Sequence, residues 1–437
     1  MTLTLQAPNP WPEKHVLGSP RVVVRNPAKY PAAPPACSAF VEVDFSGSIF
    51  GMGPGDSVEN RLRSVLRTVG FGTAETAVRS LLNSALASRR SPRGPYMQGV
   101  TATSAIICWV SKEPGVGAVR YGKTLDLGRE GIDRRIGRRH AVALVGLDPG
   151  STYLYRVEDV GGSSQTGTFS TAPVGEGSRF SFAVVGDSGS GGKGQLKVAR
   201  LLERLKPDLI LHTGDVVYPA GEERNYDRRF FAPYEDIIKE VPIFPVLGNH
   251  DVRTGNGAAF LENFHPPLGS PGSTKRYYSF DWGDAHFVAL DSELYYGDEG
   301  GSTEHQKAFL ERDLAATGKR WKVAFLHRSP YGSSRHGGDE RVRADLIPIF
   351  ARHEVDLVFA GHDHVYERTM PIKGVTYVVS GGGGRRLYPA GKGPLTACSR
   401  SAHHAVLVYV DGAHLSLEAI EPDGTAFDRF DSLASGE

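Results

Sequence analysis

Several things are scarce in this 437-residue chain, and each scarcity removes a class of function. No apolar run reaches the length of about 18 residues that a transmembrane helix needs, so no membrane span is expected. The net charge is only +1; without a basic field there is nothing global to recruit nucleic acid, and attraction for an anion has to come from a local site. The three cysteines, Cys37, Cys108 and Cys398, have no thiolate-metal spacing. Cys108 lies in the apolar run Ala105–Val110 and reads as a small buried hydrophobe, while pairing of Cys37 with Cys398 is left open. The first thirty residues lack a basic start, an apolar core and a small-residue cleavage site, because Pro8, Pro10 and Pro12 follow almost at once.

What is present is punctuation by Gly and Pro, and apolar runs that end in polar residues. Residues 1 to about 56 read as an irregular arm or small strand pair. From Ser57, apolar residues at helical spacing (Val58, Leu62, Val65, Leu66, then Val78, Leu81, Leu82) predict a helical pair with an arginine-rich solvated face. Residues 94–173 read as all-β, with short alternating strands over 100–104, 105–110, 117–121, 138–144, 152–157 and 167–170. Residues 171–178 form the expected linker. Beyond it strands and helices alternate, with helices over 194–205, 304–316 and 341–353; this predicts an α/β fold with sheet layers covered on both sides.

Five apolar runs in that last part, 180–185, 208–211, 241–247, 322–326 and 355–360, carry Asp, Asn, Tyr or His just past their ends. A parallel sheet presents ligands to a crevice at that place. The segments are Asp187-Ser188-Gly189, Gly214-Asp215-Val216-Val217-Tyr218, Gly248-Asn249-His250-Asp251, Ala324-Phe325-Leu326-His327 and Gly361-His362-Asp363-His364. One such Asp or His is usually a loop carboxylate or a core histidine. Five in order are not accounted for that way.

The series D-x-G, G-D-x-x-Y, G-N-H-[DE], V-x-x-H, G-H-x-H resembles the purple acid phosphatases, a branch of the calcineurin-like metallophosphoesterases, with Ala324 in place of Val. The wider pattern has D-x-H and G-D-x-x-D, whereas this chain has Gly189 and Tyr218; a phenolate is a hard donor suited to a highly charged cation. The resemblance implies that Asp187, Tyr218 and His364 bind Fe(III), that Asn249, His327 and His362 bind a divalent Fe, Zn or Mn, and that Asp215 bridges them. It implies hydrolysis of small phosphate monoesters by metal-bound hydroxide with an acidic optimum. His250, and His336 within a glycine-rich stretch expected to be mobile (331–338), would be the catalytic histidines on the substrate side.

Residues 147–155, with Tyr153 as a corner tyrosine and Trp109 in the core, resemble a fibronectin type III sandwich of the kind that precedes the catalytic domain in plant-type purple acid phosphatases. The expected organisation is an N-terminal extension (1–91), the sandwich (92–173) and a metallophosphoesterase α/β sandwich (178–437). Relatives of this kind are commonly exported, which sets them apart from the unremarkable start of this chain. Two other readings are a metallophosphodiesterase and a binding protein with a degenerate phosphoesterase domain. Gly189 and Tyr218 argue against the first, and the full set of seven ligand types against the second. The pocket-wall loops carry no readable code for the physiological ester, and nothing here speaks to the oligomeric state.

Overall fold

The computed structural model describes residues 93–433 apart from 159–163, 268 and 298–300, and before them only four strand segments. These are β1 (Thr2–Leu5), β2 (Val16–Leu17), β3 (Val22–Arg25) and β4 (Ala39–Val43), an antiparallel sheet in the order β1-β4-β3-β2. They fall within a unit spanning residues 1–90, more regular than an irregular arm. The expected helical pair over 57–90 and Cys37 lie outside the described residues.

Residues 91–437 make the second unit. It begins with β5 (Arg93–Gln98), β6 (Ser104–Gly122), β7 (Arg129–Val145), β8 (Thr152–Glu158) and β9 (Ser164–Ser170). The segments expected as separate strands over 105–110 and 117–121 are one long strand, β6. Register shifts around Gly115 and Gly117 let its first half pair with β5 and the end of β7, and its second half with the start of β7 and with β8. Residues 100–103 form a turn rather than the expected strand: Thr101 Oγ1 accepts hydrogen bonds from the backbone N–H of Thr103 and Ser104. Trp109, Tyr121, Tyr153, Tyr155 and Phe169 are buried between the strands. The Tyr153 hydroxyl accepts the Asp148 N–H at 2.9 Å.

The rest is built on two mixed sheets. The first, in the order β12-β11-β10-β20-β21-β22, contains β10 (Arg179–Val185), β11 (Leu209–His212), β12 (Ile243–Pro245), β20 (Ala405–Asp411), β21 (His414–Ile420) and β22 (Ala426–Leu433). The second, in the order β13-β14-β15-β16-β18-β17-β19, contains β13 (Tyr278–Trp282), β14 (Ala285–Ala289), β15 (Trp321–Arg328), β16 (Leu357–Gly361), β17 (Tyr366–Thr369), β18 (Thr376–Ser380) and β19 (Thr396–Arg400).

Alternation along each central strand explains the layering. In β10, Phe182 and Val184 point into the space between the sheets, where Phe182 meets Phe287 and Phe359 at ring distances of 5.1 and 6.0 Å. Ala183 and Val185 point the other way, onto helices Lys193–Leu205 and Ala232–Ile238. Val288, Ala324 and Val358 of the second sheet likewise face helices Gly301–Ala316 and Glu340–Arg352. The strands are therefore apolar on both faces, and the order of layers is helix, sheet, sheet, helix.

The ligand-bearing runs do not share one parallel sheet. Three, β10, β11 and β12, are parallel neighbours in the first sheet, and two, β15 and β16, are parallel neighbours in the second. Period-2 burial alone cannot say which strands become neighbours, so one sheet and two facing sheets look alike in the sequence.

The β5–β9 layers are fastened to the phosphate-site half by polar groups. Arg93, with a side chain only 2% exposed, reaches Asp227 at 2.6 Å and Glu223 at 3.1 Å, hydrogen-bonds Asn263, and lies 3.9 Å over the Phe231 ring. The Tyr155 hydroxyl donates to Lys239 O and the Tyr96 hydroxyl to Asn263 O.

Candidate metal centre

Each of the five loops turns sharply at the end of its strand. Asp187, Asp215 and His362 have positive φ values of 56°, 52° and 70°, a left-handed backbone that costs non-glycine residues energy and is retained where surrounding contacts fix it. Glycine allows the loops to close on one another: a Cβ on Gly248 would stand 2.2 Å from Asp215 N, and one on Gly189 would stand 1.8 Å from Val216 O. The second clash explains why this chain has glycine where the wider pattern has histidine. The backbone of the Asp215 loop occupies the space a side chain there would need.

The loops bring all seven predicted ligand residues together, in two groups about Asp215. On one side the Tyr218 hydroxyl is 3.1 Å from Asp187 Oδ1 and 3.1 Å from His364 Nε2, and His364 Nε2 is 3.5 Å from Asp187. On the other, Asn249 Oδ1 is 3.1 Å from His327 Nε2 and 3.0 Å from His362 Nδ1. Asp215 Oδ1 is 3.5 Å from His327 Nε2, and atoms of Asp187, Asp215 and His327 all lie within 4.8 Å of one another.

Backbone carbonyls select the tautomers. His327 Nδ1 donates to Thr213 O at 2.8 Å and His364 Nδ1 to Arg386 O at 2.7 Å, so each Nε2 turns a lone pair into the site. Burial, with neighbouring positive charges, holds His327 well below its ordinary range and His362 down to about 2; both imidazoles are neutral and able to donate electron pairs.

This donor set fits cations. Asp187 and Asp215 are buried, and among the described residues neither pairs with a lysine or arginine. Burial, together with the charge of Asp215, raises the Asp187 carboxyl to about 6, and burial with both carboxylates pushes the Tyr218 phenol far up. Burial opposes protonation of His364, but Asp187 outweighs it and holds that imidazole above its usual value. Two buried carboxylates and a phenol converging with three imidazole lone pairs and an amide oxygen are mutually repulsive unless positive charge lies between them.

His250 and His336 are both at this site. His250 Nδ1 contacts Pro219 O at 2.5 Å, its Nε2 is 3.9 Å from Asp215 Oδ2, and its ring lies against Tyr218 with centroids 4.4 Å apart. His336 is exposed, with its ring 4.3 Å from that of His362. The stretch around it is tied down rather than built as a loose loop: Asp363 accepts the His336 N–H at 3.0 Å, and Glu367 accepts the Ser333 N–H at 2.8 Å. The glycine tract 381–384 is a tight loop beside the site, where a Cβ on Gly381 would stand 2.1 Å from Asp363 O and 2.8 Å from Asp187 Oδ2. Among the remaining histidines, His212 hydrogen-bonds Ser188 and His404 hydrogen-bonds Ser380, both buried.

Residues 180–366 match the calcineurin-like phosphoesterase family. Those residues form a calcineurin-like metallophosphoesterase domain. Its relatives include mouse acid phosphatase type 7, 28% identical over 333 residues, a match covering 68% of this chain and 74% of the mouse protein. Purple acid phosphatase 23 of Arabidopsis thaliana is 30% identical over 289 residues, covering 56% of this chain and 62% of that one. The solved structure of purple acid phosphatase PPD1 from yellow lupin shares the fold, with a TM-score of 0.67 at 22% identity over 77% of this chain and 73% of that one.

Two residues of the phosphoesterase domain with no separate signal in the sequence organise the loops. Asp251 is fully buried; its carboxylate accepts the N–H groups of Val216 (3.0 Å), Val217 (3.0 Å) and Gly248 (2.9 Å), tying the Asp215–Tyr218 loop to the Asn249 loop. It stands in the G-N-H-[DE] pattern, but only the fold reveals what it does. Arg328 makes a two-pronged ion pair with Glu293, both contacts at 2.9 Å, and its Nη1 lies 3.4 Å from His362 Nε2.

Proposed function

We propose that this chain hydrolyses phosphate monoesters at a binuclear Fe(III)–M(II) centre, with best activity in mild acid. The observation that carries this reading is the pairing of a tyrosine-containing donor group with an all-neutral one around a single aspartate. Asp187, Tyr218 and His364 would hold the trivalent ion, Asn249, His327 and His362 the divalent one, and Asp215 both. When bound, the cations supply positive charge to the phosphate and make water acidic enough to attack it.

The chain's own residues then do three things. Asp187, Asp215 and the Tyr218 phenolate contribute three negative charges, fewer than the cations contribute positive ones, so the site keeps a net attraction for a phosphate dianion. His250, its Nδ1–H spent on Pro219 O, turns Nε2 toward the substrate side, where a proton on that atom can be passed to the departing alkoxide. His336, exposed beside His362, contacts the phosphoryl oxygens. Hydrolysis breaks the P–O ester bond, water supplies oxygen to phosphorus, and the alcohol leaves with a proton.

The same reading takes β5–β9 as a fibronectin type III-like domain over 92–173, with the catalytic domain over 178–437. Its supports are the way β6 and β7 each serve two pairings and the hydroxyl of Tyr153 at a strand corner. The test is turnover of a chromogenic monoester beside a diester of the same chromophore by metal-loaded protein from acid to neutral pH. Preference for the monoester with an acid maximum supports the proposal; preference for the diester overturns it.

A further inference from the structure

The chain as a whole is nearly neutral, yet the edge of the site is not. Arg385 is exposed, is placed by its own N–H on Asp187 O at 3.0 Å, and holds its guanidinium 4.7 Å from the centre of the Tyr218 ring. Arg253 is exposed and donates at 3.3 Å to Pro219 O, the carbonyl that also receives His250. On another side Arg335 lies 4.9 Å over the ring of Tyr388, which stacks on His364 with centroids 4.2 Å apart. Among the described residues none of these three guanidinium groups forms an ion pair, in contrast to Arg328 on Glu293 and Arg276 on Asp291 nearby. Arginines gathered at one opening repel one another, and the planar fork of each is matched to carboxylate or phosphate oxygens.

We propose that the natural substrate is a phosphate ester bearing a second anionic group, a carboxylate or another phosphate, and that Arg385 and Arg253 bind that group beside Tyr218 and His250, with Arg335 adding to the field from the Tyr388 side. The inference rests on the phosphomonoesterase reading above. The ester phosphate occupies the metal centre, and the second anion stays on the alcohol product after hydrolysis.

Matched substrates test this. Glycerol phosphate and phosphoglycerate differ by a hydroxymethyl against a carboxylate, and a hexose monophosphate and bisphosphate differ by a second phosphate. For the metal-loaded wild type, kcat/KM is expected to favour the doubly anionic member of at least one pair by about fivefold or more, and the pair that responds identifies the group. In the R253Q/R385Q variant that ratio falls toward one. It persists in R179Q, which alters an exposed arginine paired with Asp411. Equal rates within both pairs, or a preference that survives in R253Q/R385Q, overturn the inference even when a simple aryl phosphate is hydrolysed. Failure to hydrolyse any ester removes the phosphomonoesterase reading as well.

Discussion

Replacing Asp251 by alanine removes an acceptor from three buried N–H groups at once, those of Val216, Val217 and Gly248. Leaving a buried donor unpaired costs about 1–3 kcal/mol. Water entering the vacated space recovers part of this, so a net loss on the order of 4 kcal/mol is expected for D251A. Asparagine is a milder change. Its one oxygen can keep the two donors that now share Oδ2, Val216 and Gly248, but its NH2 then faces the Val217 N–H, donor against donor, at about 1–3 kcal/mol. Two of the three donors lie in the loop that carries Asp215 and Tyr218, so the consequence extends beyond stability: the bridging carboxylate and the phenol lose their relative placement. The assay is denaturant unfolding with metal content measured on the same preparations. D251A should unfold at much lower denaturant and retain less than one metal per chain, with D251N between it and the wild type. A D251A protein that unfolds within about 0.5 kcal/mol of the wild type and binds two metals normally would show that the three N–H bonds do not position the site.

Three further outcomes follow from particular contacts. Gly189→Ala sets a Cβ 1.8 Å from Val216 O and should force the Asp215 loop away, costing about 1–3 kcal/mol and lowering metal content; normal metal binding by G189A would refute the close approach. Burial disfavours protonation of His286, but its contacts with Asp281 (2.7 Å) and Asp313 (2.9 Å) outweigh this and raise it to about 9. Because the folded value exceeds the unfolded one near 6.5, this stabilisation is complete below about pH 6.5 and is lost as pH rises through about 9. It is worth about 2 kcal/mol, reduced because Asp281 is half exposed, and H286Q should flatten that part of the stability profile. Arg93→Met should cost about 2 kcal/mol, less than a fully buried network because Glu223 and Asp227 are partly open to water, and calorimetry would reveal it as a lower transition temperature.

The ligands were legible in the sequence because a buried strand followed at once by Asp, Asn, Tyr or His is a local pattern, and five in a fixed order specify one another. The helices over 193–205, 301–316 and 340–352 were legible for the same reason: their periodicity is contained within one stretch of chain. What could not be read depends on partners far along the chain. Asp251 serves Val216 from 35 residues away, Arg93 meets Asp227 across 134, and Arg328 meets Glu293 across 35. The division of the five runs between two sheets, the continuity of β6 through its register shifts, and the pinning of the His336 stretch by Asp363 and Glu367 are likewise decided by tertiary neighbours. Propensity does not encode these.

The account turns on Tyr218 being an iron ligand. The most direct measurement is the visible absorption spectrum, with metal analysis, of purified wild type and Y218F. A purple tyrosinate-to-Fe(III) band in the wild type with two metals per chain, and loss of that band in a folded Y218F protein, is the predicted result. A wild type that binds two metals and shows no such band, or a Y218F protein that keeps it, would contradict the account.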